Sequence, residues 1–538
     1  MGLDANQREA LLNDAQNNQH DVIIVGGGIT GAGILREASL RGLSAILIEA
    51  EDFASGTSSK STKLIHGGLR YLAMGHVHVV REAARERKRV HRLAPHLAEP
   101  RWLMLPASNR FELAKYVVGV TAYEKLGQVE KADKHFNLSG PDLEEFEPLL
   151  NRKRFPHACV YREYLTDDAR LVLANVRGGI QAGGAAINKL KVTGLHKEND
   201  KVQGVITKCQ LSGESIVIRG RTVINAAGPW VEHICQLDGL PMPKSMVLSK
   251  GIHIVVPASK LPVKQMTFSI SLDDRPVFVV PKGETVYLGT TDSLYDKAEV
   301  WPEVTADEVD YLFEPIRRYY DVELNRDDCL TSWAGLRPLI FESGKSTKEI
   351  SRKDEVWLSE SGLITIAGGK LTGYRKMAED AVNKACDVLG LSMPALSSDE
   401  ALPGGDISTS LRQSALDLAQ VYPMADTHSD RLVKLYGDEG RKVLAMGKQA
   451  LIPDGSVFSG EVHWAIREKG AHSLEDVLYR RTRAALYAPA ETSDLVAPIA
   501  NLMADELGWS ESKLAAEIAH VNQLLAADIA FRRTNSAS

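Results

Sequence analysis

Cysteine is scarce: five in 538 residues, and no two of them (Cys159, Cys209, Cys235, Cys329, Cys386) form a CxxC pair. That spacing argues against a zinc site or a disulfide framework and fits a reducing compartment. Long apolar runs are missing as well, since none approaches the ~18–20 residues a bilayer span requires. There is no excess of basic charge: 64 Lys and Arg against 70 Asp and Glu leave −6, which speaks against a nucleic-acid binder. The opening MGLDANQREALLNDAQNNQHD has no basic-then-apolar leader pattern, and GLDANQ at 2–7 lacks the Ser or Thr of a myristoylation motif. No repeat of fixed period is visible. What is present is an ordinary globular composition, 44% hydrophobic and 25% charged. The length corresponds to about three to four domains, enough to bury a core without covalent staples. A soluble or surface-bound cytoplasmic enzyme is the expectation.

The first sixteen or so residues read as a polar arm or short helix. Asp21–Val25 then reads as a buried strand, followed by a glycine cluster, a helix to about Arg41 with Gly42 as its C-cap, and a second strand, Ser44–Glu49. This is one βαβ unit and implies a parallel sheet. The stretch from about 76 to 160 reads as mostly helical, and 171–183 as a helix. Residues 186–224 carry β-patterned runs ending in Arg221–Asn225, and 245–295 several short strands of an antiparallel sheet (GIHIVV, RPVFVVP, TVYLGTT). A further strand–glycine–helix passage covers 362–389. The Pro-, Ser- and Gly-rich 394–407 reads as a linker, and 405–538 as a separate helical domain.

The chemistry starts at Gly26-x-Gly28-x-x-Gly31. Alone this motif is weak. Here it follows a strand, opens a helix and is followed by Glu49 at the end of the next strand, the full context of a dinucleotide fingerprint. Gly26 allows the tight turn, Gly28 lets a pyrophosphate approach, and Gly31 lets helix and strand pack. Ile29 and Thr30 open the helix, whose free N–H groups and dipole favour phosphate. Glu49 is placed to accept hydrogen bonds from an adenosine ribose. The fingerprint does not separate NAD from FAD, but its N-terminal position and the hydroxyl run that follows (Thr57, Ser58, Ser59, Ser61, leading to Lys63 and Leu64) favour FAD. Two more strand-to-glycine turns extend the expected cofactor wall. One is Asn225 to Trp230, with Ala227 and Gly228; the other is Gly368-Gly369-Lys370-Leu371-Thr372. Three such turns meet at the C-terminal edge of one sheet, where doubly wound folds bind ligands. No metal site is expected.

These residues resemble a known family, the FAD-dependent, nicotinamide-independent respiratory glycerol-3-phosphate dehydrogenases. The matching stretches are VIIVGGGITGAG (22–33), GTSSKSTKLIHGGLRYL (56–72), TDDARL (166–171), NAAGPW (225–230), GTTD (289–292), AGLRPL (334–339), AGGKLTGYRKMAE (367–379) and SLEDVLYRRTR (473–483). Gly373 departs from it, since the family often carries Thr or Ser there. The resemblance implies a Rossmann-like FAD-binding domain (18–75, 160–240 and 330–393) interleaved with an antiparallel substrate-binding or cap domain (76–159 and 241–329). An all-helical C-terminal domain (394–538) follows. It also implies non-covalent FAD, with Gly335 and Gly67 among the cofactor contacts, and a possible homodimer. The reaction implied is oxidation of sn-glycerol 3-phosphate to dihydroxyacetone phosphate, with electrons passed to a membrane quinone.

For a phosphate-bearing substrate, arginine offers a planar fork. Arg337, in the low-charge passage TSWAGLRPLIF, and Lys370, at the third glycine turn, are the leading candidates, with Arg352, Arg70 and Tyr71 behind them. His66, directly after the cofactor loop, is the first candidate base and His253 the second. Residues 101–126, mixing Arg, Lys and aromatics with aliphatics, suit either a surface segment at a membrane or a half-buried helix. The expected location is cytoplasmic, peripheral to the membrane. The rival functions are an oxidase of the same fold, and a flavin-binding scaffold or RNA-modification protein, whose basic face is not visible here.

Overall fold

The structure, a computed structural model, describes residues 2–67, 77–341, 354–368, 370–397 and 399–533. Among them two sheets organise the chain. The first is built on the strand Gln19–Val25, flanked in parallel by Ala45–Ile48 on one side and Ser215–Asn225 on the other; Leu363–Ala367 and Ala185–Ile187 extend it. Val22, Ile23 and Ile24 are fully buried, as expected of a parallel strand covered on both faces. The helix Ile29–Leu40 covers one face, packing on the helices Asp168–Gln181 and Tyr374–Leu389. Registers Val25↔Ile48, Val25↔Asn225 and Asn225↔Thr365 bring the ends of four parallel strands to one edge. All three glycine turns leave from that edge.

The second sheet is antiparallel except for one pair, Met266–Ile270 beside Ala98–Ala107. Its longest strand, Met246–Pro257, pairs over ten residues with Thr331–Ile340. Leu64–Ile65, His157–Thr166 and Thr331–Ile340 pair within this second sheet, whereas the resemblance places 18–75, 160–240 and 330–393 in the dinucleotide domain. The chain crosses between the two sheets within single segments, and composition does not mark such crossings. The stretch 76–160 is also less helical than it reads. Residues 101–107 lie in the strand Ala98–Ala107, whose far end is buried in the sheet, and only then does the helix Arg110–Gly127 begin.

The C-terminal helices run from Leu411 to Ala527. The segment read as a linker is a strap. Arg36 donates to the Ser397 and Glu400 carbonyls (2.9 and 2.6 Å), Glu37 accepts the Leu396 and Ser397 N–H groups, and Leu402 N–H reaches the Leu93 carbonyl. Its Pro and Gly content permits an irregular path, and side chains from the helix Ile29–Leu40 satisfy its backbone.

Candidate active site

A cavity of about 540 Å³ opens where the strand ends of the first sheet face the second sheet. At one end lies the fingerprint. Gly26 has φ +112°, and a Cβ there would sit 2.6 Å from the Ala226 carbonyl. A Cβ on Gly31 would sit 1.9 Å from the Gly26 carbonyl, so Gly31 supports the turn from behind and does not line the cavity. Gly28 caps the helix Ile29–Leu40 with no side chain, leaving its first turn open to the cavity, while Ile29 N–H donates to Ser58 Oγ at 2.9 Å. Glu49 accepts the Gly27 N–H at 2.6 Å and the Glu51 N–H at 2.8 Å. Burial pushes its carboxyl up to about 7 against the pull of those two amides.

The hydroxyl loop divides between wall and foundation. Thr57 Oγ1 donates to the Leu336 carbonyl at 2.5 Å, tying the loop to the second sheet. Ser58 and Ser61 line the cavity together with Thr57, Leu64, Ala227, Gly228, Trp230, Gly335 and Gly368. Gly335 packs so tightly that a Cβ would meet the Lys60 carbonyl at 2.7 Å. Ser59 and Lys63, expected at the cofactor, lie below the wall. Lys63 is fully buried, donates to the Ser59 carbonyl at 2.8 Å and pairs with Asp168 at 3.2 Å. A lysine inside a hydroxyl run reads as a phosphate ligand. Here its φ of +58° and the buried Asp168 turn it inward.

At the opposite end His66, Gly67, His253, Arg337, Lys370, Leu371 and Thr372 meet. Arg337 stands opposite Ser249 on the neighbouring strand. Its guanidinium donates to Thr290 Oγ1 (2.9 Å), Ser249 Oγ and the Thr291 carbonyl (both 3.3 Å), with the Asp292 carboxylate at 3.5 Å. A Cβ on Gly251 would collide with this guanidinium at 2.2 Å, and one on Gly289 with the His253 ring at 2.0 Å. Neither glycine belongs to a turn motif that sequence alone would mark as part of the site. The available signal was glycine in a strand interior, which often marks close approach. A Cβ on Gly67 would lie 2.2 Å from the Tyr123 ring.

His253 is 1% exposed, stacks on Trp333 (centroids 4.9 Å apart, 10° between planes) and bonds Thr62 Oγ1 through Nε2 at 3.0 Å; its Nδ1 has no hydrogen-bond partner among the described residues. Burial, with the Lys63 and Arg337 charges, holds its pKa well below the imidazole range, so the ring is neutral. His66 is half-buried, beside Phe278. Arg70, Tyr71, Arg352 and Gly369 lie outside the described residues. Lys370 stands in the turn before the helix Tyr374–Leu389 rather than at its first residue. Among the described residues no metal-binding group of His, Cys, Asp and Glu occurs.

The arrangement suits a long ligand with an anionic middle. Open helix N–H groups face the cavity, an acidic side chain follows at the adenosine end, and small residues line the wall between. A Cβ on Gly228 would meet none of the described residues within 4 Å, which leaves that stretch of backbone bare to a flat ligand. FAD fits this cradle.

Comparison with known proteins agrees. Residues 21–375 match the family described as FAD dependent oxidoreductase, and 396–514 match the C-terminal domain of alpha-glycerophosphate oxidase. The aerobic glycerol-3-phosphate dehydrogenases of Staphylococcus aureus strains MRSA252 and USA300 are 35% identical to this chain, covering 98% of both chains. The glycerol-3-phosphate dehydrogenase of Bacillus halodurans, solved with FAD, superposes with a TM-score of 0.83 at 31% identity over 99% of this chain and 100% of that one. The L-alpha-glycerophosphate oxidase of Mycoplasma pneumoniae, at 19% identity and a TM-score of 0.56 over 72% of this chain and 99% of that one, shares the fold.

Proposed function

The chain belongs to the FAD-dependent glycerol-3-phosphate dehydrogenase family, and from that premise we propose that it oxidises sn-glycerol 3-phosphate to dihydroxyacetone phosphate and passes the electrons to a membrane quinone. The observation that carries the reading is the convergence, in one cavity, of the fingerprint turn with a pre-held arginine, a lysine and a histidine from distant segments. FAD, when bound, supplies the ring that accepts hydride from C2. Arg337 grips the phosphate, its fork already fixed by Thr290 and Ser249, so little side-chain freedom is lost on binding. Lys370 adds charge for the phosphate and for the alkoxide that develops at C2. His66 takes the C2 hydroxyl proton as the carbonyl forms. The neutral, stacked His253 borders the substrate and excludes water.

Delivery to a quinone requires a bilayer surface, and no helix among the described residues is long and apolar enough to cross one. The support for peripheral contact is the outer face of the helix Arg110–Gly127, where Phe111 (85% exposed) and Val118 (69%) stand in line with the exposed Lys115 and Lys125. The adjoining helix Val77–Leu93 turns Arg81, Arg85, Lys88 and Arg92 outward along one stripe. Apolar anchors beside basic residues suit an anionic lipid surface.

The test is anaerobic. Glycerol 3-phosphate is expected to bleach the flavin absorbance of the purified protein, and a soluble quinone to restore it. Absence of bleaching refutes the substrate. Rapid recovery in air with stoichiometric peroxide, and none with quinone, assigns the acceptor to oxygen. Sedimentation with phosphatidylglycerol vesicles, lost in Phe111→Ser/Val118→Ser, tests the membrane face.

A further inference from the structure

The wall of the cofactor cavity between Ser55 and Ser61 does not stand on its own sheet. Two buried carboxylates lie beneath its ends. Asp52, three residues beyond Glu49, is fully buried. Asp168 is also fully buried; it accepts the Ser61 N–H at 3.0 Å and its hydroxyl at 2.7 Å, and pairs with Lys63. Buried carboxylates are costly unless paired and hydrogen-bonded. Most of the pairing comes from more than 300 residues away, from one short segment of the C-terminal helical region.

Arg481 grips Asp52 with a two-pronged contact, NH1 to Oδ2 at 2.6 Å and NH2 to Oδ1 at 2.7 Å, and Arg480 Nε adds a third at 2.5 Å. Arg483 NH2 reaches Asp168 Oδ1 at 2.9 Å, and its Nε lies 3.2 Å from Asp167. The three guanidiniums are at most 1% exposed. Their remaining charge is met by Glu475 and Asp476, each 2.6 Å from Arg480. Arg483 is held at φ +63°, a conformation uncommon for a side-chain-bearing residue, in the turn before the helix Ala484–Tyr487. Three arginines within four consecutive residues thus pin both ends of the loop that forms the cofactor wall, and none of them lines the cavity.

We propose that the Arg480–Arg483 segment is a positioning element of the FAD site. It sets the register of the 52–63 loop through Asp52 and Asp168, the latter holding Ser61 by its amide and hydroxyl, so that Ser58 presents its hydroxyl to the cavity correctly only when the C-terminal helical region is docked. The inference rests on the family's FAD dependence and is independent of the acceptor or base assigned above. It gives the C-terminal region a part in cofactor binding, and it explains why an arginine cluster of this cost is buried there.

The test uses the full-length protein. FAD is stripped and rebinding followed by quenching of flavin fluorescence, and the visible circular dichroism of the bound flavin is recorded. Arg483→Met is expected to weaken FAD by about ten- to a hundredfold, the worth of one charge-assisted hydrogen bond, and to alter the flavin dichroism. Arg483→Lys should recover part of both, and KM for glycerol 3-phosphate at saturating FAD should not move. Wild-type FAD affinity and dichroism in Arg483→Met, with its far-ultraviolet spectrum intact, would overturn the proposal. Should that variant fail to fold, Arg481→Lys is read instead. Arg481 lines no part of the cavity but holds both oxygens of Asp52; weakened FAD supports the proposal and unchanged FAD overturns it.

Discussion

The Thr372 hydroxyl is bonded twice to one residue: it accepts the His66 N–H at 3.1 Å and donates to the His66 carbonyl at 3.0 Å. Residues 306 positions apart are thereby fixed to each other at the substrate end of the cavity. Thr372→Val keeps the shape and removes both bonds. Each net hydrogen bond is worth ~0.5–1.5 kcal/mol. The variant is therefore expected to bind FAD normally and to reduce it about tenfold more slowly under anaerobic stopped flow. An unchanged rate would mean that the rest of the site holds the His66 peptide without Thr372.

The glycines of the fingerprint separate into two classes. Among the described residues a Cβ at Gly28 meets only Ser58 Oγ, at 3.1 Å, whereas one at Gly31 is driven to 1.9 Å from a backbone carbonyl. Gly28→Val should give a folded protein without flavin, because its side chain occupies the phosphate position. Gly31→Val should lower the melting temperature even of the apoprotein. Measuring flavin content and apoprotein melting for both variants checks the split; equal melting losses would contradict it.

Arg337→Lys is not a conservative change at this position. The lysine loses the planar fork and the contacts with Thr290 and Ser249. A loss of ~1.5–3 kcal/mol predicts a drop of about ten- to a hundredfold in kcat/KM for glycerol 3-phosphate. The drop for glycerol should be much smaller. Equal losses would show that Arg337 does not read the phosphate.

Asp528 supplies a pH signature. It accepts the Tyr479 hydroxyl at 2.6 Å in a buried setting beneath the second sheet. Burial pushes its carboxyl from 3.8 up to about 7, against the pull of Tyr479, Lys60 and Thr331. The native state therefore holds this proton more tightly than the unfolded chain. The associated stability is fully present below about pH 3.8 and is lost as pH rises through about 7. Asp528→Asn should flatten the fall in melting temperature across that window and melt above wild type at pH 8. A parallel pH curve for the two proteins would contradict the assignment.

The strand–turn–helix grammar was legible because hydrophobic runs and glycines act locally. Val22 to Val25, Gly26 and the helix from Ile29 follow from their neighbours alone. The foundation of the site was not legible, because it is made by charges far apart in sequence. TDDARL and YRRTR are visible motifs, but nothing in either says that Asp168 and Arg483 meet under Ser61. The inward turn of Lys63 was hidden for the same reason. The strand Ala98–Ala107 was missed because its charged start (AEPRW) masks the apolar end that enters the sheet. The crossings between sheets were missed because both sheets use the same β-branched vocabulary.

His66 carries the last prediction. Oxidation at C2 requires the hydroxyl proton to leave as hydride departs, and an imidazole titrating near neutrality is suited to take it. Three histidines line the cavity: His233 stands beside Trp230, while His66 and His253 stand at the substrate end, and the surroundings of these two differ. His253 is packed against Trp333, hydrogen-bonded to Thr62 and held neutral by burial and two nearby cations; charging it by proton uptake is costly. His66 is half-buried, and its backbone is locked by Thr372 while its ring borders the open cavity. His66→Ala is therefore expected to retain FAD and slow flavin reduction by ~10²–10⁴-fold, the range of a lost general base. His253→Asn should act mainly on substrate affinity. With 2-deuterated glycerol 3-phosphate the slowed step should show a primary isotope effect. A wild-type reduction rate in His66→Ala, together with a large loss in His253→Asn, would transfer the base to the inner histidine.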